Sequence, residues 1–82
     1  MKISSLISKL TKMNVPFTIL EGNGYNKDIE FSINGSKFEA SFTEGYPNIQ
    51  SYCKETGYDD ASQETTRYHF DNFAQLLRHA SK

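Results

Sequence analysis

The chain has 82 residues, 37% of them hydrophobic and 23% charged, and a formal net charge of −1. This describes one small domain with a small core: too aromatic for a disordered segment, and without the Lys and Arg excess that general nucleic-acid binding requires. Its single cysteine, Cys53, excludes an intrachain disulfide; with no signal-like segment and no long apolar run, the expected compartment is the cytoplasm, away from membranes.

Lys2–Asn14 reads as an amphipathic helix. Ile3, Leu6, Ile7, Leu10 and Met13 recur at helical spacing on one side, with Ser4, Ser5, Ser8, Lys9, Thr11 and Lys12 opposite. Ser4 or Ser5 is the expected cap, Asn14 closes the helix in a left-handed conformation, and Pro16 prevents its continuation. Packing on a sheet accounts for the apolar stripe without a membrane role. Val15–Glu21 follows as a first strand, with Pro16 near its start as suits a sheet edge. Gly22–Lys27 is a loop whose Gly-x-Gly opens no helix and so makes no phosphate cradle.

The clearest signal in the chain is Asp28–Phe42. Two alternating runs flank Asn34-Gly35, a pair that tolerates the positive φ of a type I′ turn. A two-residue turn there sets Ile33 opposite Ser36, Phe31 opposite Phe38 and Ile29 opposite Ala40. One face of the ribbon then carries Ile29, Phe31, Ile33, Phe38, Ala40 and Phe42; the other carries Asp28, Glu30, Ser32, Lys37, Glu39 and Ser41. Asn34-Gly35-Ser36 matches a glycosylation sequon and is read as turn chemistry alone. Glu30 and Glu39 face each other on the polar side, a like-charge pair that a diagonal Lys37 relieves.

Thr43–Asn48 is a turn, Ile49–Thr56 a fourth strand and Gly57–Gln63 a polar loop. Glu64–Phe70 is a fifth strand, with Thr66, Tyr68 and Phe70 on one face; a helix over Glu64–His69 is the competing reading. Asp71 or Asn72 caps a closing helix, Asn72 and Gln75 having capping-box spacing, and Phe73, Leu76, Leu77 and Ala80 form its stripe. Arg78 and His79 near its end complement the helix dipole. Two terminal helices and an antiparallel sheet each have one apolar face to hide. The expected fold is therefore α+β: a single domain spanning residues 1–82, with a four- or five-stranded antiparallel sheet and both helices on one face.

Catalytic chemistry is sparse. His69 and His79 lack the spacing of a zinc site and read as surface or capping residues. Cys53 could pair with His69 as nucleophile and base, but nothing around it resembles a thiolate motif. Asp59, Asp60 and Glu64 lack the alternating oxygen ligands of a calcium loop. The chain is therefore expected not to be an enzyme and to need no metal or cofactor.

What stands out is a repeated dipeptide. Gly24-Tyr25, Gly45-Tyr46 and Gly57-Tyr58 each fall in an expected connection, whereas the phenylalanines fall mostly on core positions. Charge is uneven as well: residues 1–20 carry +3, residues 21–64 carry −6 and residues 65–82 carry +2. Tyrosine gives large contact area at low entropic cost and suits binding surfaces. The candidate partner-binding residues are Tyr25, Glu44, Tyr46, Tyr58, Asp59, Asp60 and Glu64, an acidic and tyrosine-tipped surface for a protein with a basic patch. The competing reading is that each tyrosine folds back over the rim of the core.

The opening Met1-Lys2-Ile3-Ser4-Ser5-Leu6-Ile7, followed by short strands and a terminal helix, looks like many small phage- or prophage-encoded proteins. In layout it resembles some anti-CRISPR inhibitors. That resemblance implies a compact α/β protein that blocks a nucleoprotein nuclease through an acidic surface. The modest net charge departs from the most acidic of those inhibitors and speaks against DNA mimicry; no residue is carried over. The leading expectation is a non-enzymatic protein-binding module, such as a mobile-element inhibitor of a host defence complex. The alternatives are a small nucleic-acid-binding protein using Lys9, Lys12, Arg67 and Arg78, and a small thiol enzyme using Cys53. Direct nucleic-acid binding is disfavoured, and the oligomeric state is open.

Overall fold

In a computed structural model the chain runs α1 (Ile3–Lys12), β1 (Phe17–Glu21), β2 (Asn26–Ile33), β3 (Ser36–Thr43), β4 (Ser51–Asp59), β5 (Glu64–Phe70) and α2 (Phe73–Ala80). It describes residues 1–22, 24–59 and 64–81, with side chains for all of these except 57–59 and 64–66. The five strands form one antiparallel meander in the order β1-β2-β3-β4-β5, so β1 and β5 are its edges. Pro16 immediately precedes the edge strand β1, where a missing N–H is tolerated.

The central hairpin has the register that Asn34-Gly35 dictates: Ile33 opposite Ser36, Phe31 opposite Phe38 and Ile29 opposite Ala40. Both turn residues are left-handed, at φ 52° and 81°, which is the conformation a type I′ turn needs and most side chains resist. Asn34 also makes a long-range contact. Its Nδ2 donates to the Ala80 carbonyl at 2.7 Å, tying the hairpin tip to the end of α2.

Strand alternation decides what is inside. Ile29, Phe31, Phe38, Ala40, Phe42, Tyr52 and Phe70 form one buried cluster with Leu6 and Leu10 of α1 and with Phe73, Leu76 and Ala80 of α2. Both helices therefore cover the same face of the sheet. Phe31 stacks on Phe38 at 5.9 Å and meets Phe73 edge-on at 6.2 Å.

Several boundaries differ from the sequence reading, each for a local reason. The first helix is capped by neither Ser4 nor Ser5. Its N-cap is Lys2, and the Ile3 N–H is satisfied instead by the Pro47 carbonyl at 2.7 Å, beside an isolated bridge from Lys2 to Asn48. That helix stops at Lys12, leaving Met13 41% exposed outside the core, while Asn14 does take the left-handed conformation at φ 57°. Val15 is not yet strand, because its N–H donates back to the Leu10 carbonyl. The loop expected over Gly22–Lys27 is shorter, since β2 begins at Asn26, and Thr43 still belongs to β3.

The fourth strand starts at Ser51 rather than Ile49 and runs on through Gly57, Tyr58 and Asp59, residues expected to lie in a loop. A register shift between Glu55 and Gly57 lets β4 and β5 stay paired where the sequence pattern breaks. Glu64–His69 is strand, not helix. Asn72 caps α2 as expected, accepting from the Gln75 N–H at 2.8 Å. Gln75 Oε1 accepts in turn from the Asp71 N–H at 2.6 Å, one residue earlier than a standard capping box.

Candidate functional site

The meander separates the expected tyrosine surface into two ends. Tyr25 lies in the β1–β2 connection and Tyr46 in the β3–β4 connection, which sit side by side because β2 and β3 pair from Asn26–Thr43 onward. The Glu44 N–H donates to the Tyr25 carbonyl at 2.7 Å and fastens one loop to the other. Gly24 and Gly45, at φ 64° and 91°, turn the chain sharply before each tyrosine. Both rings project: Tyr25 is 74% exposed and Tyr46 63%. Neither folds back over the core.

Tyr58, Asp59 and Glu64 lie at the other end of the sheet. Tyr58 and Asp59 belong to β4, opposite Thr65 and Glu64 of β5, so the third Gly-Tyr pair is strand and not loop. Asp60 falls outside the described residues. Of the seven candidates, Tyr25, Glu44 and Tyr46 share one place, whereas Tyr58, Asp59 and Glu64 do not join them. Separating these groups required the strand order; nothing in the dipeptide repeat itself carries it.

Beside the two exposed tyrosines the open sheet face holds a shallow depression of about 480 Å³, lined by Glu21, Asn26, Asp28, Ser41, Gln50 and Ser51. Asp28 accepts from the Ser41 hydroxyl at 2.5 Å, and Thr43 Oγ1 donates to Gln50 Oε1 at 3.0 Å. Lys27 sits nearby, 3.7 Å from Glu21 and 3.8 Å from Glu44. The depression is polar and acidic, and sequence reading missed it, because Gln50 and Ser51 reach it only through the pairing of β4 with β3.

Further along the same face Glu30 does lie opposite Glu39, and each carboxylate has its own cation. Lys37 reaches Glu30 at 3.4 Å, and Arg67 of β5 reaches Glu39 at 3.3 Å. Glu39 is only 15% exposed, and loss of water raises its carboxyl above the ordinary range; Arg67 opposes that shift, while Asp28, Glu30 and Glu55 add to it. Arg67 is thus engaged on the open face.

Cys53 lies in register between Glu39 of β3 and His69 of β5. It is 3% exposed, and burial pushes its thiol up, with Glu39 adding to the shift and Arg67, whose Nη1 is 4.0 Å from the sulfur, opposing it. A thiol held in that form is a poor nucleophile. Among the described residues no group of three or more His, Cys, Asp or Glu is arranged to hold a metal ion. No described helix is long and apolar enough to cross a membrane.

No protein-family model matches this chain, and comparison with curated proteins and with solved structures finds no significant similarity.

Proposed function

We propose that the chain is a non-enzymatic protein-binding module whose docking surface is the end of the sheet bearing Tyr25, Glu44 and Tyr46. The observation that carries this reading is the pairing of two largely exposed tyrosines on loops fastened together, beside an acidic depression. Tyrosines of this kind bury large area at small entropic cost, and the carboxylates of Glu21 and Asp28 favour a partner that presents Lys or Arg. The likeness in layout to anti-CRISPR inhibitors supplies a candidate class of partner, a host nuclease complex with a basic patch.

The test is affinity capture from bacterial lysate with the wild-type chain, the Tyr25→Ala/Tyr46→Ala double variant and Asp28→Asn. A partner retained by wild type, lost with the double variant and weakened with Asp28→Asn is the expected result. Equal capture by all three proteins would overturn the assignment. Both tyrosines lie outside the core, so all three should share one circular dichroism spectrum.

A further inference from the structure

A second cleft lies on the helical side of the molecule, where β5 meets α2. It has a volume of about 330 Å³ and is lined by Tyr68, Phe70, Gln75, Arg78 and His79. Its floor is aromatic. Tyr68 stacks on His79 at 5.5 Å with 24° between the planes, and Phe70 touches both rings at 5.0 and 5.2 Å. Phe38 backs His79 edge-on at 6.5 Å, so the imidazole is wedged in place and is not the free surface histidine its sequence position suggested. Tyr68 nevertheless keeps half of its surface open, at 50% exposure.

Apart from the Tyr68 hydroxyl, the polar side chains of this cleft come from one helix. Gln75, Arg78 and His79 stand at i, i+3 and i+4 and share a face of α2. Gln75 already uses its Oε1 to accept from Asp71, so its amide presents the cleft with N–H donors. Arg78 makes no ion pair with any other described residue, and its guanidinium can only donate. Among the described residues no carboxylate lines the cleft, and residues 65–82 carry +2, in contrast to the −6 of residues 21–64. An aromatic floor beside a guanidinium that pairs with no described carboxylate suits a flat ring that carries an anionic group. The volume is at the small end of the range that holds compact ligands.

We propose that this cleft binds a small aromatic anion, with the ring against Tyr68 and the phosphate or carboxylate on Arg78. Two sources share that chemistry, a nucleoside monophosphate and an aromatic carboxylic acid. Titration of the 15N-labelled chain with AMP, benzoate, adenosine and inorganic phosphate, followed by amide chemical shifts, tests the proposal and separates the two. AMP or benzoate should produce saturable shifts concentrated in residues 68–70 and 75–79, and the tighter of the two names the source. Arg78→Ala should weaken that ligand about tenfold and leave adenosine unchanged, as expected for loss of a charge-assisted contact. Tyr68→Leu should weaken both AMP and adenosine. No saturable shift with either anion, shifts centred elsewhere, or inorganic phosphate binding as tightly as AMP would each overturn the proposal. Both substituted side chains are well exposed, and Arg78→Ala alone decides the outcome should Tyr68→Leu fail to fold.

Discussion

Phe38 and Glu39 are consecutive in β3, yet they live in different solvents. The Phe38 ring is fully buried against Phe31, Phe70 and His79. The Glu39 carboxylate lies on the open face, held by one arginine. What separates them is strand alternation alone, which sends successive side chains to opposite faces. The face covered by the helices gains its stability from apolar area removed from water and from close packing. The open face gains less from its ion pairs, because Lys37 and Arg67 remain substantially in water, which screens their charge, and the desolvation of Glu39 offsets part of its attraction to Arg67. The first face therefore sets whether the chain folds, and the charges of the second can change at small cost to stability.

The comparison can be broken most forcefully at Phe38. Phe38→Ala should destabilise the fold by roughly 3–5 kcal/mol, read as a lowered urea midpoint. Lys37→Ala on the other face should change it by less than about 1 kcal/mol, its bond to Glu30 being a solvent-exposed pair. A smaller loss is expected at the turn that sets the register. Gly35 stands at φ 81° with open space where a Cβ would go, so Gly35→Ala meets backbone strain and no clash. Its cost should be about 1–2 kcal/mol, again by urea denaturation.

The smallest effect concerns pH. Burial raises the Glu39 carboxyl above its ordinary value of 4.5, so the folded chain holds that proton more tightly than the unfolded chain does. The resulting stability is full below the ordinary value and is lost as pH rises through the raised one. Glu39→Gln, which cannot ionise, should flatten the decline in urea midpoint just above pH 4.5. An unchanged profile would show that Glu39 is better solvated than its surroundings suggest.

Much of the covered face was legible because its signals are local. Asn34-Gly35 fixes a turn, the turn fixes a register, and period-two alternation then assigns Ile29 to Phe42 to faces without any distant information. Asn72 and the Phe73, Leu76, Leu77 and Ala80 stripe are equally local. The misreadings arise where distant residues decide. Ser4 and Ser5 look like caps, but the Pro47 carbonyl satisfies the helix start across the fold. Gly57 and Asp59 argue against a strand by propensity, and β4 continues through them because β5 supplies the partner. Three Gly-Tyr pairs look equivalent in sequence, while the meander sends two to one end and one to the other. His79 reads as a helix-terminal charge until Phe38, Phe70 and Tyr68 are seen packed around it.

The division between a sealed face and an open one is tested most directly by solvent paramagnetic relaxation. A soluble, uncharged gadolinium chelate is added to labelled protein, and side-chain protons from Ile29 to Phe42 are followed. Relaxation should alternate along β2 and β3, weak at Ile29, Phe31, Phe38, Ala40 and Phe42 and strong at Ser32 and Lys37. Uniform relaxation along those strands, or strong relaxation at Phe31 and Phe38, would mean that the two helices do not roof this sheet.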